Sequence, residues 1–127
     1  MPQDIQDATE LKGVGGLRRV VNAGGYSMAG LAAAWRHESA FRQLCMMNLV
    51  LLPLAFWFDV SRSERALLVM APLLCLIVEL LNSAIEAVVD RVSLELHPLS
   101  KNAKDMGSAA QFMALTLVTL VWAIVLL

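Results

Sequence analysis

The chain has 127 residues, of which 58% are hydrophobic, with a mean hydropathy of +0.65 and a net charge of −1 at pH 7. A soluble domain of this size is usually close to half apolar, and here the excess is gathered into blocks, which argues against an ordinary soluble core. The net charge alone says little about partners, and no nucleic acid is expected among them.

Residues 1–16 are polar and then glycine-rich, and read as a flexible leader. GlyValGlyGly (13–16) is no dinucleotide fingerprint, because Arg18 stands where a further glycine is needed and no strand precedes it. The acidic, polar start also lacks the short apolar core of a cleavable signal peptide. Residues 17–42 read as a helix with a mixed face: Leu17, Val20, Val21, Leu31, Trp35 and Phe41 alternate with Arg18, Arg19, Arg36, Glu38 and Arg42. Gly24 and Gly25 are expected to interrupt it. Because apolar spans follow closely, an amphipathic helix in the membrane interface is favoured over an ordinary soluble one.

Three blocks carry no Asp, Glu, Lys or Arg: 43–58, 66–78 and 106–127. About 20 apolar residues cross the hydrocarbon layer. The expected architecture is therefore an all-α membrane protein with three transmembrane helices, about 43–59, 66–89 and 107–127, in one domain over 17–127. The first span is short and needs local thinning or snorkelling flanks. Pro53 and Pro72 fall inside spans, which is tolerated where neighbours satisfy the freed carbonyls. Pro98 is expected to end whatever follows the second span. Gly107, Ser108, Ala109 and Ala110 are expected to open the third, where small residues allow close helix contact. Cys45 and Cys75 read as small core hydrophobes, with no metal-binding spacing.

Lys12, Arg18, Arg19, Arg36 and Arg42 precede the first span, and Arg91, Lys101 and Lys104 lie between the second and third. Between the first and second spans, Arg62 and Arg65 are offset by Asp59 and Glu64. The positive-inside rule then places the N-terminus and the 90–106 loop in the cytoplasm and the C-terminus outside.

Glu79 and Glu86 extend the second apolar block. A charge within the membrane costs about 2.5–3.5 kcal/mol or more, which makes such residues functional candidates. At about 100° per residue, Glu79, Asn82, Glu86 and Asp90 share one helix stripe roughly 80° wide, with Ser83 at its edge. Such a stripe must face protein or a wet cleft. Glu79 is the deeper glutamate, where loss of water disfavours the charged carboxylate; a general base working near neutral pH needs that property. Glu86 lies two turns closer to the cytoplasm, where Mg²⁺ is held by one or two carboxylates, and Glu38 is placed to complete a metal pair with it. Lys104 is a point charge suited to phosphate. A purely structural role for the stripe remains the bland alternative; a lone His97 in a loop is most often only that, and Met46 and Met47 read as packing. There is no GxxxxGK[ST] loop, and AspMetGly (105–107) lacks the motifs that surround the protein-kinase AspPheGly. Residue chemistry alone leaves phosphoryl transfer and proton-coupled transport both open.

GluLeuLeuAsnSerAlaIleGluAlaValValAspArg (79–91), followed by AlaLysAspMetGlySerAlaAla (103–110), closely resembles the bacterial integral-membrane diacylglycerol kinases. AlaGlyGlyTyrSer (23–27), AlaAlaTrp (33–35), Glu38 and AlaPheArgGln (40–43) resemble the same family's surface helix, so that the likeness covers about 17–127 in order. The resemblance implies a homotrimer in the bacterial inner membrane, with sites built between protomers, that phosphorylates diacylglycerol to phosphatidate using ATP and Mg²⁺. It places the general base on Glu79 and the metal-holding carboxylates on Glu38 and Glu86. Nucleotide contacts fall on Arg19, Tyr26, Glu95, His97, Lys104 and Asp105, with Glu38, Asn82, Glu86 and Asp90 supporting. Lipid contacts fall on Arg19, Ser27, Trp35, Trp57, Glu79 and Ser108. The chain departs from the family's usual residues at Asn22, Met28, Ala29, Ala32 and Lys101. Rival readings are a polyprenol kinase, a small proton-coupled exporter and a membrane subunit without chemistry of its own.

Overall fold

In the computed structural model, residues 15–127 are described, and they form four helices: α1 (Gly16–His37), α2 (Ser39–Trp57), α3 (Arg62–Val92) and α4 (Pro98–Leu126). Helices α2, α3 and α4 are each long and apolar enough to cross a membrane. The expected leader lies outside the described residues except for Gly15 and Gly16. The chain divides into two units, one ending at Ala33 and the other spanning Ala34–Leu127; α1 belongs to the first up to Ala33, and only its last turn belongs to the second.

Helix α1 starts at Gly16, whose φ of +68° suits a residue without a Cβ. The expected interruption at Gly24 and Gly25 does not occur, since both lie within α1. Glycine weakens a helix but, unlike proline, keeps its backbone donor. The helix also ends earlier than its residue pattern suggests. Glu38 is extended (φ −118°, ψ 104°), and a new helix begins at Ser39. Arg42 folds back across this break, its guanidinium donating to the carbonyls of Trp35 at 2.6 Å and Arg36 at 3.4 Å. These are the orphan carbonyls of a helix C-terminus.

The same device recurs at the far end of α2. Arg65 donates to the carbonyls of Ala55 at 2.7 Å, Phe58 at 3.2 Å and Val60 at 3.4 Å. Helix α3 then opens on a reciprocal cap. The Ser61 hydroxyl accepts from the Glu64 N–H, and the Glu64 carboxylate accepts from the Ser61 N–H, both at 3.1 Å.

In the second unit α3 packs against both α2 and α4. Its buried residues are Leu68, Ala71, Pro72, Cys75, Glu79 and Asn82, spaced by three and four as one helix face requires. Leu44, Ala71, Cys75, Ala114 and Val118 form the core, where small side chains let the helices approach. Pro72 removes the donor that would serve the Leu68 carbonyl, and the Trp122 indole of α4 supplies one at 3.2 Å. The Asn48 amide of α2 donates to the carbonyls of Leu44 at 2.9 Å and Pro72 at 3.1 Å. The donor lost at this proline is thus replaced by a side chain of a neighbouring helix.

Helix α4 begins at Pro98, nine residues before the expected opening at Gly107, so Pro98 starts a helix rather than ending one. Proline at the first helical position loses no helical hydrogen bond, and the preceding His97 caps the turn, its Nδ1 accepting from the Leu99 N–H at 3.1 Å. Gly107 instead sits buried against α3: a Cβ there would fall on the Asn82 side-chain oxygen. That close approach positions the functional ends of α3 and α4.

Candidate functional site

Because Leu68, Ala71, Cys75 and Glu79 share a face of α3, the packing that buries the apolar residues carries Glu79 inward with them. Glu79 is 4% exposed and Asn82 9%; Glu86 is half-buried and Asp90 exposed. The expected polar stripe is therefore a gradient of burial running down one helix.

Two clefts lie along that gradient. The inner one, about 390 Å³, is lined by Glu38, Glu79, Asn82, Glu86, Ser108, Gln111 and Phe112, among others. Three carboxylates share it, and none of its lining residues carries a positive charge. The Glu79 carboxylate accepts from the Gln111 amide of α4 at 3.1 Å and from the Ser83 hydroxyl, one turn along α3, at 3.4 Å. The Gln111 amide nitrogen also lies 3.4 Å from the Cys75 carbonyl.

The outer cleft, about 780 Å³, is formed by the end of α3, the 93–97 loop and the first turns of α4. Asp90, Glu95, His97, Lys101, Lys104 and Asp105 line it. Lys104 meets Asp90 at 2.7 Å across the two helices, and Lys101 meets Asp105 at 2.5 Å along one. These are the only ion pairs among the described residues, and all four side chains are well exposed (43–76%). Exposed pairs of this kind hold little energy, so either lysine can part from its carboxylate at little cost. Because the His97 Nδ1 is engaged as a cap, only its Nε2 is left for a ligand.

Of the residues expected at the site, the inner cleft gathers Glu38, Glu79, Asn82, Glu86 and Ser108, and the outer cleft gathers Asp90, Glu95, His97, Lys104 and Asp105. Arg19, Tyr26 and Ser27 lie in the first unit, where each is exposed. Trp35, 48% exposed, lines neither cleft. Trp57 lines a separate apolar notch with Val50, Pro53 and Leu54 at the end of α2.

Gln111 is the site residue that the sequence reading passed over. Its one signal is a lone amide inside the uncharged block 106–127, and only the packing of α4 on α3 aims it at Glu79. Its oxygen is buried without a donor, as is that of Asn82. Interhelical hydrogen bonds in membrane proteins average about 0.6 kcal/mol, whereas a buried acceptor left unsatisfied costs about 1–3 kcal/mol. On that balance Gln111 adds little as a tie between helices.

Among the described residues no group of three or more His, Cys, Asp or Glu is placed to cage a metal ion. Glu38 and Glu86 on the wall of one anionic cleft nevertheless suit magnesium, which takes one or two carboxylates and completes its shell with water and substrate phosphate.

Residues 25–126 match the family model described as prokaryotic diacylglycerol kinase. The chain is 69% identical over 116 residues to a diacylglycerol kinase of Pseudomonas aeruginosa, covering 91% of this chain and 94% of that protein. It is 50% identical over 111 residues to one of Escherichia coli, covering 87% and 91%. It is 45% identical over 107 residues to one of Haemophilus influenzae, covering 84% and 91%. With a matched family model over most of its length and relatives of this similarity, the chain belongs to the prokaryotic diacylglycerol kinase family.

Proposed function

We propose that this chain is a membrane-embedded lipid kinase that transfers the γ-phosphate of ATP to the primary hydroxyl of diacylglycerol, giving phosphatidate and ADP. The observation that carries the reading is the gradient on α3, from buried Glu79 through half-buried Glu86 to exposed Asp90. An apolar alcohol enters from the membrane and a polar nucleotide from water, and such a gradient serves both.

In the mechanism, Glu79 accepts the hydroxyl proton of the lipid. The alcohol oxygen bonds to the γ-phosphorus as the bond from that phosphorus to the β–γ bridging oxygen breaks, and the electron pair leaves on ADP. The outer cleft holds the nucleotide: Lys104 exchanges Asp90 for a phosphate, while Glu95, His97 and Asp105 line the remainder. Glu38 and Glu86 would hold Mg²⁺, which when bound offsets phosphate charge. Positioning and charge neutralisation supply most of the catalysis in phosphoryl transfer. Arg19 and Tyr26 add nucleotide contacts, and Ser27, Trp35, Trp57 and Ser108 lipid contacts.

Residues 17–127 act as one kinase domain in the bacterial inner membrane, with the N-terminus and the 93–97 loop cytoplasmic and the C-terminus outside. The part of α1 before Glu38 lies on the membrane surface as an amphipathic helix. The working form is a homotrimer, as the family resemblance implies, and the incomplete cover that the three apolar helices of one chain give Glu86 favours an oligomer of some kind.

Purified protein with radiolabelled ATP, Mg²⁺ and a panel of lipid alcohols in mixed micelles tests the reading. Label should enter diacylglycerol in preference to a polyprenol. Preference for the polyprenol would reassign the substrate, and no labelled lipid at all would reject the kinase reading.

A further inference from the structure

We propose that Gln111 is the positioning residue of the Glu79 carboxylate, a role that rests on the reading of Glu79 as the base. A glutamate's terminal torsion is broad and roughly two-fold, so an unheld carboxylate presents its oxygens to a substrate in many orientations. The Gln111 amide is anchored at two points of α3, Glu79 Oε2 at 3.1 Å and the Cys75 carbonyl at 3.4 Å. Oε2 is thereby fixed. Oε1 carries only the longer bond from the Ser83 hydroxyl, 3.4 Å, and is the oxygen left to take the substrate proton.

The amide's own oxygen supplies the second observation. It is buried without a donor on a residue that lines the inner cleft, and a buried unsatisfied acceptor calls for an explanation, a catalytic role being one. The oxygen that takes the proton, Oε1, faces Ser83 and not Gln111, so the amide keeps its hold on Oε2 while Oε1 becomes protonated.

The test is Gln111→Met, similar in volume but with no amide, made in the wild-type protein and in Glu79→Gln. The expected result is a kcat about tenfold to a hundredfold lower, the scale of a small misplacement of a reacting group. KM for Mg-ATP should stay within about twofold and the thermal midpoint should not fall. In the Glu79→Gln background the same substitution should lower the residual rate no further, because its target is gone. An unchanged kcat, or an equal fold loss in both backgrounds, overturns the proposal. Gln111→Leu is measured in parallel, and failure of both variants to fold overturns it too, by making the amide a structural tie. If Gln111→Met is fully active while Glu79→Gln is inactive, only the role of Gln111 falls. If Glu79→Gln is itself fully active, the reading of the base falls with it.

Discussion

The inner and outer clefts share α3 and α4, a few turns apart, with Glu38, Ser39 and Ala40 also walling the inner one, and they follow opposite principles. In the outer cleft, Lys101 and Lys104 each have an exposed carboxylate partner. In the inner cleft, three carboxylates lie together with no cation on the wall, and two amide oxygens, of Asn82 and Gln111, are buried without donors. The outer arrangement is satisfied and exchangeable, as a site for a soluble anion needs to be. The inner one is left unsatisfied, and on the proposed reading that deficit is what a substrate hydroxyl and a hydrated cation fill.

The largest expected effect breaks the comparison at its deep end. Glu79→Gln keeps the shape and polarity of the side chain but removes its capacity to take a proton. The lipid kinase rate should fall about 10²–10⁴-fold, the usual contribution of a general base. ATP affinity and assembly should persist, because the outer cleft does not include Glu79. Steady-state rates and equilibrium nucleotide binding on the same preparation separate the two; near-normal turnover would remove Glu79 from the chemistry.

Glu86 lies between the extremes, half-buried and on the inner cleft's wall. Glu86→Gln should raise the Mg²⁺ concentration for half-maximal rate about tenfold, equivalent to about 1.4 kcal/mol, with a smaller fall in the rate at saturating metal. A magnesium titration that superimposes on the wild type would deny Glu86 its metal role.

How far each cleft was legible in the sequence follows the same division. Glu79, Asn82, Glu86 and Asp90 lie on one continuous helix, and helical periodicity alone puts them on one face, so this ladder could be read directly. Features made by one element meeting another could not. Apolar periodicity runs through Phe41 and Leu44 without a pause, and the break at Glu38 shows only where the Arg42 side chain turns back to cap α1. Pro98 reads as a stop because proline ends helices more often than it is recognised as a start, and the charged turns 101–105 hide the beginning of α4 ahead of its apolar block. Gln111 was visible as a polar residue, but its direction depends on how α4 rolls against α3, which Gly107 and Asn82 decide by their close contact.

Lys104→Met tests the outer cleft. The substitution removes a charge that bridges α3 and α4 through Asp90 but retains most of the aliphatic stem. KM for Mg-ATP should rise about three- to tenfold with kcat less affected, and the dependence of KM on ionic strength should weaken, since an exposed charge is screened by salt. A fall in kcat with KM unchanged would mean that Lys104 acts on the transition state, and the outer cleft would then share the chemistry instead of only holding the nucleotide.

The smallest effect is expected at Lys101, and it sharpens the comparison most. Lys101 is the most exposed of the four paired side chains, 76%, and its partner Asp105 lies one turn away on the same helix. Pairs of that kind stabilise little, so Lys101→Ala should leave the thermal midpoint within error and KM for Mg-ATP within about twofold. The result discriminates because Lys101 and Lys104 line the same cleft with the same chemistry and differ mainly in exposure and in what they span. If Lys101→Ala matches Lys104→Met, net positive charge is what the nucleotide reads, and the position of each lysine is secondary. If it is silent, the nucleotide is held at the cross-helix position alone. The outer cleft then owes its grip to the junction of α3 and α4 that also builds the inner one.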